Sequence, residues 1–254
     1  MQVYLLPFMD KIRVGAVSYL NTKPFLYGIE QSEVKQEIAL KVDYPSKLAA
    51  SLQRNELDLA LIPVAALSGI DEADIITDFC IGSQSQVASV CLFSHVPIED
   101  IQHIFLDYQS RTSVTLLRIL LRDVWKVRPM LYDAPEDFIE QISGKTAGVI
   151  IGDRALEHYH RFPYRYDLAE VWHEYTRMPF VFAVWVSNKV LPSAFVAKLN
   201  KAFEYGVHHI DDILAQMHYP HYDLATYFKQ NIDYRLNEDA RSGMKMFTRL
   251  MATL

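Results

Sequence analysis

Val17-Ser18-Tyr19-Leu20-Asn21-Thr22-Lys23-Pro24 joins two kinds of sequence. Before it runs Ile12-Arg13-Val14-Gly15-Ala16-Val17, an apolar stretch that reads as a buried first strand. After it comes Phe25-Leu26-Tyr27-Gly28, which reads as a short helix opening with Pro24 at its first position, where the missing N–H is harmless. Hydroxyl, amide and ammonium groups therefore collect where a strand hands over to a helix. In open α/β sheets, ligands bind at the carboxyl ends of strands, and helix N-termini there favour anions. Helix capping uses the same residue types, so the octet marks a place before it marks an activity.

The alternation continues outward. Ile38 to Val42 reads as a strand and Pro45 to Gln53 as a helix, with Leu48, Ala49 and Leu52 at helical spacing. Leu57 to Ile62 is a strand stopped by Pro63, and Val87 to Phe93 is another. A short strand at Ile104 to Leu106 precedes a helix from Thr112 to Trp125. Its apolar positions cover most of the circumference and leave a stripe of Thr115, Arg118 and Arg122, so it is largely buried. Met130 to Tyr132, Ala147 to Ile151 and Val181 to Val186 read as further strands, and Pro135 to Ile142 as a helix. From Pro192 onward the pattern is helical. Strands alternating with helices predict parallel sheets covered by helices. Crossings expected near Ser94-His95-Val96-Pro97 and Ser187-Asn188-Lys189 divide the chain into two lobes. Residues 1–94 plus 188–254 form a discontinuous first lobe, and residues 95–187 an inserted second one. A cleft between such lobes is a natural ligand site.

The chain has 254 residues, half of them hydrophobic, with a formal net charge of −6. That charge argues against nucleic acid as a partner. No run reaches the ~18 apolar residues of a membrane span. The opening Met1-Gln2-Val3-Tyr4-Leu5-Leu6-Pro7-Phe8-Met9-Asp10 lacks the basic start of a signal peptide. A cytoplasmic location is expected. Cys80 and Cys91 read as reduced core thiols, and no zinc spacing is present.

Further polar clusters sit at other junctions. Asp107-Tyr108-Gln109-Ser110-Arg111-Thr112-Ser113 precedes the buried helix and combines three hydroxyls, first-turn N–H groups and the cationic fork of Arg111, a good anion cradle. Ser89 falls inside an apolar strand, where it either pairs with backbone or points into a cleft. Gly152-Asp153-Arg154 opens another helix, with Asp153 placed to cap it. The nucleophile elbow, the P-loop, G-x-G-x-x-G and H-E-x-x-H are absent from the sequence. The histidine pairs are adjacent, alternate or split by proline, so no metal and no cofactor is expected.

Together these blocks resemble the chorismate dehydratases of the futalosine route to menaquinone. The likeness is carried by residues 14–24, by Asn55-Glu56-Leu57-Asp58-Leu59-Ala60-Leu61-Ile62-Pro63-Val64, and by Val87 to Ser94. It extends to Asp107 with Ser110 to Ser113, to Ile151-Gly152-Asp153, and to Pro179-Phe180-Val181-Phe182-Ala183-Val184-Trp185. One departure is Thr176-Arg177-Met178, where the family pattern leads one to expect glycine after the threonine. The resemblance implies a two-lobed periplasmic-binding-protein-like (type II) α/β fold, each lobe a mostly parallel sheet flanked by helices. It also implies dehydration of chorismate to 3-[(1-carboxyvinyl)oxy]benzoate. The expected substrate-binding groups are Ser18, Thr22, Ser110, Arg111, Thr112 and Ser113. Asn21 is expected to hold the reacting region with help from Ser18 and Ser89, and the base is either Asp153 or the substrate's own enolpyruvyl carboxylate. The alternatives are a non-catalytic binder of a small anionic metabolite on the same scaffold, and a sister enzyme acting later in the pathway.

Overall fold

The computed structural model describes residues 11–254; the opening ten residues, with the reading made of them, lie outside the described part. In chain order the strands are β1 (Ile12–Val17), β2 (Ile38–Asp43), β3 (Leu59–Pro63), β4 (Asp74–Ser83), β5 (Val90–Ser94), β6 (His103–Leu106), β7 (Met130–Asp133), β8 (Thr146–Ile151), β9 (Tyr164–Asp167), β10 (Phe180–Ser187) and β11 (Asp233–Arg235). The helices are α1 (Lys23–Glu30), α2 (Val34–Glu37), α3 (Pro45–Gln53), α4 (Arg111–Leu120), α5 (Asp153–Glu157), α6 (Leu168–Thr176), α7 (Ser193–His208), α8 (Ile210–Ala215), α9 (Leu224–Thr226) and α10 (Glu238–Met251). Two sheets result. One runs β11-β4-β10-β3-β1-β2 and the other β7-β6-β8-β5-β9.

Sheet membership moves both expected crossings. β5 pairs with β8 and β9, so the chain changes sheet between Ser83 and Val90, not after Ser94. β10 pairs with β3 and β4, so the return falls between α6 and Phe180, not after Ser187. Both strands are buried along their whole length. A uniformly apolar strand announces burial on two faces but not which sheet buries it.

Both sheets are mixed where mostly parallel ones were expected. β1 is parallel to β2 and β3, and β6 is parallel to β7 and β8. β10 and β5 run antiparallel to their neighbours. A helical crossover within one sheet keeps strands parallel; a strand entering from the other sheet is under no such constraint. Cys80 and Cys91 lie in different sheets, both buried and free.

The larger lobe packs around an aromatic cluster in which Phe203 lies 4.7 Å from both Phe25 and Trp185. α1 and α7 approach closely there. A Cβ on Gly28 would stand 1.8 Å from the Ala202 carbonyl oxygen, and one on Gly206 1.8 Å from that of Pro24. The predicted buried helix is α4, continued by a wider π turn over Leu121–Trp125 and stopped by Lys126 in the left-handed region. Arg177, where glycine was expected, ends α6 with φ +60°, a conformation natural to glycine. The expected helix over Pro135 to Ile142 is only a 3-10 turn, Phe138–Gln141.

Candidate functional site

The octet that opened the sequence reading lies at the carboxyl end of β1. After Val17 the chain makes a 3-10 turn, Leu20–Thr22, before α1, where Pro24 is the second residue. Asn21 and Thr22 are buried in this turn while Ser18 is exposed. The Thr22 hydroxyl donates to Asn21 Oδ1 at 3.3 Å.

Ser89 arrives by a different route. It precedes β5 instead of lying within it, as the sequence pattern had it. Ala88 before it has φ +62°, an uncommon conformation for a residue with a Cβ. Asp167 holds that turn in place: Oδ2 accepts from the N–H groups of Val87 at 2.9 Å and Ala88 at 2.6 Å, and Oδ1 from Ala169 at 3.0 Å and Glu170 at 3.2 Å. Burial pushes the Asp167 carboxyl up to about 7 against these donors. The Ser89 carbonyl accepts from Gly152 N at 2.8 Å, joining the turn to the end of β8.

The first turn of α4 supplies the third wall. Ser110 is its N-cap, and its Oγ accepts from Ser113 N at 3.2 Å and lies 3.0 Å from Ser113 Oγ. The N–H groups of Arg111 and Thr112 belong to the first turn and have no intrahelical acceptor. Asp107, fully buried, fixes the approach to this helix. It accepts from Gln109 N at 3.0 Å, Ile151 N at 3.2 Å and Arg154 Nη2 at 2.7 Å. Burial raises the Asp107 carboxyl despite the guanidinium.

These pieces meet. Asn21, Ser89, Ser110 and Ser113 line one cleft between the lobes. Its remaining walls are Val17, Tyr19, Pro45, Pro63, Ile81, Val87, Val90, Ile151, Gly152, Phe182 and Ala183. The lining is apolar with a few hydroxyls and one amide, and among the described residues none of it is charged. Gly152, at φ +66°, lies against the Tyr19 ring, and a Cβ there would stand 2.9 Å from three ring carbons.

The other expected residues stand elsewhere. Ser18 is exposed and outside the lining. Arg111 is exposed on α4, because the first residue of a helix whose second and third are buried faces outward. Thr112 is buried and committed: its Oγ1 accepts from Ala65 N at 3.1 Å, across the lobes. Thr22 supports Asn21 from behind. Asp153 is next to the lining but not in it; its Oδ1 accepts from Leu20 N at 2.9 Å. Burial pushes its carboxyl up to about 6, the Leu20 N–H opposing.

Leu20–Asp153 and Ala65–Thr112 are two of several hydrogen bonds that tie lobe to lobe. Ser46 N donates to the Gln109 carbonyl at 3.3 Å, and the Tyr19 hydroxyl donates to Gln109 Oε1. Tyr19 and Gln109 carried no distinguishing sequence signal, since both lie within polar stretches that read equally as caps. Among the described residues, no cluster of three or more His, Cys, Asp or Glu could hold a metal ion, and no helix is long and apolar enough to cross a membrane.

Two α/β lobes closed over a cleft by bonds that run between them define the periplasmic-binding-protein-like class. A Candida albicans protein described as exhibiting the generic periplasmic binding protein structural fold matches with a TM-score of 0.66 at 12% identity, over 97% of this chain and 91% of that one. The chain belongs to the menaquinone biosynthesis family, whose profile matches residues 12–253. It is similar to the chorismate dehydratase of Thermus thermophilus, 29% identical over 257 residues that cover 92% of this chain and 93% of the relative. It is also similar to the chorismate dehydratase of Campylobacter jejuni, 27% identical over 194 residues, 74% of this chain and 73% of that one.

Proposed function

We propose that this protein is a hydro-lyase that converts chorismate to 3-[(1-carboxyvinyl)oxy]benzoate and water. The observation that carries the reading is the single cleft in which Asn21, Ser89, Ser110 and Ser113 converge from both lobes on an apolar enclosure, in a family of menaquinone biosynthesis. Two relatives bearing the name chorismate dehydratase support it.

The reaction removes the ring C3 proton and the C4 hydroxyl, and the ring becomes aromatic. The thermodynamic drive lies in the substrate, so the protein must orient it and stabilise developing charge. The C3–H bond is conjugated through the ring alkene to the C1 carboxylate. Charge released at C3 therefore spreads into that carboxylate. The N-terminus of α4, with the Ser110 and Ser113 hydroxyls and two free N–H groups, is suited to receive it. Asn21, from the other lobe, and Ser89 hold the reacting edge. The apolar walls suit a ring that flattens as it reacts.

The lining offers no carboxylate, imidazole or amine to take the C3 proton, and burial keeps the Tyr19 phenol protonated. Asp153 has a carboxyl raised toward neutrality, which suits a general base. Its position does not suit the role: one oxygen is bound to Leu20 N, and the residue lies outside the lining. This favours the substrate's own enolpyruvyl carboxylate as proton acceptor, with the cleft holding it over C3. Purified protein mixed with chorismate should generate the aromatic enol ether, followed by absorbance and mass. Binding without conversion would make the protein a carrier of the anion; neither binding nor conversion would point to a different substrate in the same pathway.

A further inference from the structure

Tyr227 opens the π turn Tyr227–Asn231 that follows α9. Its side chain is fully buried. The turn is tied to the segment that carries Ser89, since Tyr222 donates to Asn231 Oδ1 at 3.0 Å and Asn231 Nδ2 donates to the Gln86 carbonyl at 3.3 Å. The Tyr227 phenol oxygen neighbours the side chains of Ser89 and Asn21. It nevertheless completes no hydrogen bond with either, or with any other described group. A buried hydroxyl left without a partner is destabilising, and native proteins rarely keep one without a use. Phenylalanine would fill the same space without that cost. The unpartnered oxygen therefore sits directly behind two of the polar groups that face the cleft.

We propose that Tyr227 is a positioning residue whose hydroxyl donates to Ser89 Oγ when substrate is bound, turning the single proton of Ser89 into the cleft and onto the anion. The inference rests on the proposed dehydration and extends it. A serine hydroxyl has one proton and two lone pairs. With a phenol O–H on its oxygen, Ser89 donates elsewhere, and the open side is the cleft. Chained hydrogen bonds polarise one another, so Ser89 becomes a stronger donor to charge that develops during the reaction. Burial keeps the Tyr227 phenol protonated at any working pH, so it acts as donor and not as base.

Tyr227→Phe removes only the oxygen. In steady-state dehydration of chorismate, its kcat should fall about tenfold or more while KM stays within about twofold, the worth of one hydrogen bond made chiefly in the transition state. Its melting temperature should stay level or rise, whereas a merely structural tyrosine would lose stability together with activity. In a Ser89→Ala background the same change should cost nothing further, because the relay runs through Ser89. A Tyr227→Phe variant with unimpaired kcat, a loss confined to KM, a fall in melting temperature that tracks the activity, or a full further loss in the Ser89→Ala background would each overturn the relay. Wild-type protein that makes no enol ether would remove the proposed function itself, and the relay with it; a converting wild type beside an unimpaired Tyr227→Phe removes the relay alone.

Discussion

Asp153→Asn separates two roles that the sequence assigns to one residue. The native carboxyl is held near pKa 6 instead of the ordinary 3.8, chiefly by burial. A carboxyl whose folded pKa lies above its unfolded one favours folding when protonated and opposes it when ionised. Below about pH 3 it is neutral in both states. As pH rises from about 3 to about 7, the unfolded chain ionises first and the folded state loses ground; above about 7 the penalty is constant. Two pKa units correspond to about 3 kcal/mol. The asparagine Oδ1 can still accept from Leu20 N, and its new NH2 group must be accommodated in a mostly buried place, which returns about 1 kcal/mol. A net gain of about 2 kcal/mol at pH 8 should raise the melting temperature by about 4–8 °C. At pH 4 the variant should melt with the wild type or slightly below it. Thermal melts followed by circular dichroism between pH 4 and 8 give the comparison. A difference between the two proteins that does not change with pH would refute the assignment of a burdened carboxyl. Turnover decides the second role: kcat should stay within a few-fold of wild type if the substrate's carboxylate takes the proton. A loss of several hundredfold with unchanged ligand affinity would make Asp153 the base.

Four other substitutions bear on the same structure. Asn21→Ala removes a donor that nothing else in the lining replaces, and kcat should fall by about 10²-fold or more with the fold intact; near-normal turnover would take Asn21 out of the mechanism. Gly152→Ala places a Cβ against the Tyr19 ring at a backbone conformation essentially restricted to glycine, and should cost about 2–4 kcal/mol in urea unfolding. Thr112→Val keeps the volume but leaves the Ala65 N–H without its partner across the lobes; about 1–2 kcal/mol of stability should go, together with a raised KM for chorismate. Arg177→Gly relieves a left-handed helix end on an exposed residue and should add about 0.5–1 kcal/mol, read as a higher denaturation midpoint with unchanged activity.

How far the sequence carried depended on whether a signal was local. The strand-to-helix handover at Val17 to Pro24 was legible because periodicity and proline placement both act within a turn or two. The hydroxyl run from Ser110 was legible for the same reason, as the N-cap of a strongly apolar helix. What failed was long-range. Thr112 and Ser113 are adjacent and chemically alike, yet one faces the cleft and the other reaches Ala65, because successive helical residues point about 100° apart and only the packing of the lobes fixes which direction is inward. Arg111 has the charge that suits an anion but lies outside for the same geometric reason. The strand signal of β4 is weak because its two aspartates interrupt the apolar pattern at exposed positions. Tyr227 carries no sequence mark at all: in an apolar helical tail, a tyrosine that packs and a tyrosine that backs a cleft are the same letter.

The neutrality of the lining has a consequence for the cycle as a whole. On the proposed reaction, substrate and product carry the same two carboxylates, and the leaving water takes no charge away. Any arginine gripping a carboxylate would bind both species alike, lower KM without raising kcat, and hold the product as tightly as the substrate. Hydroxyls, an amide and the first turn of α4 bind a carboxylate less strongly than a guanidinium fork does. They respond most when charge spreads from C3 into the ring carboxylate, which happens only on the way to the transition state. The product also lacks the tetrahedral C4 hydroxyl that Asn21 and Ser89 stand ready to meet, so it loses contacts the substrate had. Introducing a cation at the lining tests this reasoning. For Ser113→Lys, tighter chorismate binding accompanied by slower turnover and stronger product inhibition is the expected result, and faster turnover would show that charge, not its timing, limits the reaction.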